Sequence, residues 1–94
     1  MNGYVIVTST VLDTDKLKQY GQAAGATVKA YGGVFIAKSP VENLAGQSLH
    51  NNCAVIQFAD IATAKAWYFS DEYQRLIPLR DQAMNCDFNL VEGH

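Results

Sequence analysis

The chain has 94 residues, 49% of them apolar, with seven Lys and Arg against nine Asp and Glu for a formal net charge of −2. That length sets an expectation of one domain over residues 1–94, and the apolar share supports a packed core and excludes a disordered composition. The basic residues are scattered and form no stripe, so the reading assigns no nucleic-acid partner.

The opening Met-Asn-Gly-Tyr-Val-Ile-Val has no basic flank and is too short an apolar run for a signal peptide or a membrane span. A cytoplasmic protein with no membrane partner is the expectation. Tyr4–Val11 (YVIVTSTV) is short and rich in β-branched residues, which predicts a strand. Asp13-Thr14-Asp15 then supplies an N-cap and an acidic first turn. Leu17, Tyr20, Ala24, Val28 and Tyr31 follow at helical spacing, and Gly32-Gly33 ends the helix. Gly21 falls on the apolar face of this helix, where close packing against a sheet is its expected use.

Val34–Lys38 reads as a second strand closed by Ser39-Pro40, with Val41–Gly46 as a short irregular strand and Gln47–Asn52 as a polar connection. Cys53–Phe58 is a third strand, and Asp60 caps a helix over Ile61–Phe69. Ser70 caps a new segment whose first turn carries Asp71 and Glu72. Pro78 predicts a bend or a fresh start, and Cys86–Glu92 is the last strand.

The order β-α-β-β-α-β is the split pattern of an α+β, ferredoxin-like protomer: a four-stranded antiparallel sheet with its helices on one face. Yet Ile6 neighbours Val5 and Val7, Ile36 neighbours Phe35, and Ile56 neighbours Val55, so the strands are apolar on both faces. One face meets the helices, and a second copy is the simplest cover for the other. A homodimeric barrel joined face to face is therefore expected. Cys53 and Cys86, with no third cysteine and no C-x-x-C spacing, read as two reduced, unbridged thiols.

The candidate chemistry centres on Arg80. On a wheel with Tyr73 at zero, Leu76, Ile77, Leu79, Ala83 and Met84 share one arc, and Arg80 lands in the middle of it. An inward guanidinium needs compensation. Either it holds a small anionic ligand, or it pairs with Asp87, Glu92 or another acid. Tyr20, Tyr31 and Tyr73 lie on inward stripes and suit pocket walls and ordinary cores alike, while Trp67 is a packing anchor or a cavity wall. His50 in its polar loop lacks the further ligands that zinc requires, so no metal site is assigned. His94 is terminal, Ser70 reads as a cap, and Gly32-Gly33 is a turn rather than a phosphate loop.

Together, the first strand from Tyr4, Tyr31-Gly32-Gly33, the Leu44–Gly46 turn, Trp67-Tyr68, Ser70-x-x-Tyr73, Leu79-Arg80 and Val91-Glu92-Gly93 resemble a family of small bacterial proteins. It is known as domain of unknown function 1330, in the dimeric α+β barrel superfamily, and the resemblance covers nearly the whole chain. It implies a ferredoxin-like protomer paired into a barrel, and no established activity or cofactor. Relatives in the superfamily include cofactor-independent monooxygenases, lactone isomerases and haem-degrading proteins. Tyr31 stands where many members carry His, and Leu44-Ala45-Gly46 replaces the commoner Leu-Glu-Gly, which removes an imidazole and a carboxylate.

The leading functional expectation is a protein of unknown role that binds a small anionic or aromatic metabolite near Tyr31, Trp67, Tyr73 and Arg80. The alternatives are an enzyme working without cofactor or metal, and an interaction module with no pocket.

Overall fold

A computed structural model describes residues 1–94. Its elements are β1 (Gly3–Val11), α1 (Thr14–Ala30), β2 (Val34–Pro40), β3 (Asn52–Phe58), α2 (Ile61–Tyr68), α3 (Asp71–Gln74), α4 (Ile77–Ala83) and β4 (Met84–Glu92). The strands pair antiparallel in the order β2-β3-β1-β4. This is the ferredoxin-like arrangement that the element order predicts, with the second helical stretch divided into three pieces.

Side chains alternate across a strand, and the register fixes which ones meet the helices. Val5 lies between Ile56 of β3 and Leu90 of β4, and Val7 lies between Ala54 and Phe88. Tyr20, Ala24 and Val28 of α1 pack on this face, with Ala64 and Trp67 of α2 and Tyr73 of α3. Phe58, Trp67 and Tyr73 are the largest fully buried side chains.

Local chemistry sets the helix ends. Asp13 accepts a hydrogen bond from the Lys16 amide at 3.0 Å, Asp60 from Thr63 at 2.7 Å and Ser70 from Tyr73 at 3.2 Å. Each is the cap that its residue type predicts. The two glycines after α1 do different jobs. Gly32 takes a φ of +72°, the left-handed turn past a helix end. A Cβ on Gly33 would lie 2.6 Å from Phe58 Cε1 and 2.7 Å from Val28 Cγ1, so this residue lets strand and helix close on each other. Gly21 does not: a Cβ there meets nothing within 4 Å, which corrects the expectation of close packing.

Beyond shifts of one or two residues at the ends of β1, β2 and β3, the structure departs from the sequence reading in three places. Residues 41–46 form no strand, because β2 runs on to Pro40, opposite Asn52, and leaves them no partner strand. α2 ends at Tyr68, with Phe69 as its C-cap. β4 begins at Met84 rather than Cys86: the far end of β1 pairs Thr10 with Asn85 and Val11 with Met84, claiming two residues from the helical pattern. Pro78 does mark a fresh start, as the second residue of α4 after a break from α3.

The other sheet face carries Tyr4, Ile6 and Val55, all half-buried, together with Thr8, Thr10, Gln57, Asp87 and Asn89. Val34 and Ile36 on the β2 edge are about half exposed, and Leu44 and Leu49 in the following loop are 91% and 83% exposed. Cys53 sits opposite Thr8 and Cys86 opposite Ser9, with β1 between them and their side chains on opposite faces. That geometry keeps the two sulfurs from bridging within one chain.

Candidate functional site

Arg80 points inward, as the wheel predicts, with its side chain only 11% exposed. Its Nη1 donates to Tyr68 Oη at 3.0 Å and to Tyr73 Oη at 3.3 Å, and its Nε donates to Asp81 Oδ1 at 3.1 Å. The Phe88 ring lies 4.8 Å from the guanidinium carbon, in cation–π range. The adjacent acid is thus Asp81, not Asp87 or Glu92. Burial works against the charge, but the hydrogen bonds to the two phenols outweigh it and hold the guanidinium firmly protonated.

Behind Arg80 the phenols form a relay. Tyr73 Oη is 2.7 Å from Tyr20 Oη, and the two rings meet edge to face at 6.4 Å. Burial and the neighbouring Tyr73 push the Tyr20 phenol far above its ordinary range, and burial raises Tyr73 as well. Both therefore stand as neutral hydroxyls. Trp67 stacks 4.5 Å from Tyr73 and donates its indole N–H to Thr27 Oγ1 at 2.9 Å. No buried side-chain polar atom is left without a partner. Within the cluster, the Nε and Nη1 donors of Arg80 and the three phenol oxygens are all hydrogen-bonded.

A cavity of about 400 Å³ opens between α1 and the sheet, within the size range of small-molecule pockets. Its apolar walls include Val7, Ile56, Phe88, Val28 and Trp67, and Tyr20 joins them from α1. Ser9, Lys38 and Asn52 supply polar groups toward one end, where Ser9 and Asn52 are register partners. Of the expected site residues, Trp67 borders this space. Tyr73 and Arg80 stand behind its walls, Tyr73 against Tyr20 and Trp67 and Arg80 against Phe88, and Tyr31, the C-cap of α1, is not among those walls. Lys38 and Gly21 do border it and are absent from the sequence reading of the site. A second hollow of about 300 Å³ lies between α2 and β4, beside Tyr68 and Leu90.

His50 belongs to neither. Its Nδ1 lies 2.9 Å from Thr10 Oγ1 and its Nε2 3.1 Å from Asp87 Oδ2, on the sheet face away from the helices. The contacts pin the end of the 41–51 loop to that face. No group of three or more His, Cys, Asp or Glu side chains converges anywhere in the structure, and no helix is long and apolar enough to cross a membrane.

No curated protein matches the sequence. Among solved structures, the chain is similar to a protein of unknown function from Rhodopseudomonas palustris, with 11% identity and a TM-score of 0.79 over 99% of this chain and 82% of that one. It is similar also to a dimeric ferredoxin-like protein of unknown function from Jannaschia, with 13% identity and a TM-score of 0.76 over 99% and 100% of the two chains. A third is SnoaB, a cofactor-independent oxygenase from Streptomyces nogalater, with 8% identity and a TM-score of 0.70 over 99% and 93%. At these identities the likeness speaks for the fold alone. The model of the family called domain of unknown function 1330 matches residues 2–94, and the chain belongs to that family.

Proposed function

We propose that the protein is a cytoplasmic bacterial homodimer that binds a small, flat, largely apolar metabolite between α1 and the sheet. The observation that carries this reading is the cavity of about 400 Å³, walled by Val7, Ile56, Trp67 and Phe88 and reached past a glycine. Gly21 has open space where a side chain would be, so the helix leaves the rim unfilled. The dimer rests on the apolar residues left uncovered, Val34, Ile36, Leu44 and Leu49, and on similar chains described as dimeric.

A second reading, a cofactor-independent enzyme acting on such a molecule, draws on the relay behind Tyr20. A phenol held neutral by burial can donate a hydrogen bond to a ligand oxygen where charge develops, and Arg80 steadies the phenols behind it. No carboxylate or imidazole lines the cavity to act as the matching base, so binding is the better supported of the two.

Calorimetric titration with bicyclic aromatics, neutral and carboxylated, tests the reading. The native protein should bind members of the panel and show a shifted Trp67 indole resonance, while Gly21→Phe, which fills the rim, stays folded and loses the binding. Light scattering of the same sample should return about twice the chain mass. Absence of any binding by the native protein sinks the ligand reading, and a stable monomer at low micromolar concentration sinks the dimer.

A further inference from the structure

The cavity has a charge bias. Lys38 is the only charged residue among its walls, and no carboxylate faces it there. Its ammonium takes no part in either ion pair of the molecule, His50–Asp87 or Arg80–Asp81. It sits instead 5.7 Å from the centroid of Phe35, another wall residue. The register explains how it comes to be there. Phe35 pairs with Ile56 and Lys38 with Ala54, across a bulge between Phe35 and Ala37, so both sit on the helix-facing side.

We infer that Lys38, rather than Arg80, reads an anionic group on the ligand, so that the cavity selects flat apolar carboxylates or enolates. The inference rests on the binding reading above. The walls divide the ligand into two parts. A flat apolar body fits against Val7, Ile56 and Trp67, while Ser9 and Asn52, one step along the sheet from Lys38, offer hydrogen bonds to an oxyanion. Arg80 has its Nε and Nη1 committed to Asp81, Tyr68 and Tyr73 and is not among the walls of this space. A free cation at the mouth of an apolar cavity attracts an anion strongly only when the ligand's body brings it there, which makes the pair of features selective.

The test compares 2-naphthoate with its neutral analogue 2-naphthamide by calorimetry at low ionic strength. The native homodimer should prefer the carboxylate by about fivefold, the scale of one partly exposed charge pair. Lys38→Met should bind both alike with its melting temperature unchanged, Lys38→Arg should keep the preference, and added salt should erode it. Equal binding of the two probes by the native protein, or a preference that survives in Lys38→Met, overturns the inference and leaves the cavity reading standing. Binding of neither probe overturns both.

Discussion

Arg80 and Lys38 are two cations set on apolar ground, and the fold treats them in opposite ways. Arg80 lies behind the core with its Nε and Nη1 donors bonded to a neighbouring carboxylate and two phenol oxygens, and with an aromatic face against it. Lys38 stands at an opening with a single aromatic ring beside it and no acid. A cation bonded within the fold leaves its partners unpaired when it is removed. A cation without such bonds at a cavity mouth leaves its interaction free for something that arrives from solvent.

Removing Arg80 probes the bonded side and has the largest expected effect. Arg80→Leu leaves Tyr73 still bonded to Tyr20 and leaves Asp81 in water, so only Tyr68 Oη loses a half-buried partner. The cost should be about 1–3 kcal/mol in urea unfolding, below the ~3–5 kcal/mol of breaking a buried ion pair. Affinity for the naphthoate probe should stay within twofold of native, roughly 0.4 kcal/mol. A collapse of carboxylate binding with little change in stability would reverse the roles assigned to the two cations.

Alkaline unfolding sharpens the same side at a smaller scale. Tyr20 and Tyr73 have folded-state values raised above the ordinary 10.0, so the unfolded chain ionises first. Their contribution is fully present below pH about 10 and is lost as pH rises above it. The melting temperature should therefore fall above pH about 10, and Tyr20→Phe should shallow that fall while lowering stability at neutral pH by about 1 kcal/mol for the lost Tyr73 bond. An equally steep alkaline fall in Tyr20→Phe would show that this phenol is not desolvated as the structure has it.

Lys38→Met completes the contrast with the smallest effect on folding. No ion pair is lost, so the stability change should lie within about 0.5 kcal/mol. A loss above about 1.5 kcal/mol in thermal or urea unfolding would give Lys38 a structural role and weaken its assignment to a ligand.

Much of this molecule was legible in its sequence because the signals were local. A β-branched run, three side-chain caps, a Gly-Gly stop and the position of Pro78 each act within a few residues, and each appears where its chemistry predicts. The inward aim of Arg80 was legible too, since helical spacing survived the break before Pro78. What compensates Arg80 was not. Tyr20 and Tyr68 come from different helices, and only packing brings them to Arg80 and Tyr73. The extent of β4 was likewise decided by pairing, because β1 offered ladder positions to Met84 and Asn85 that outweighed their helical spacing. Lys38 shows the limit most plainly. Three residues from Phe35, it belongs to the opposite face by simple alternation, and the bulge between them returns it to the cavity. A bulge is settled by register across strands, a long-range property that no short window of sequence carries.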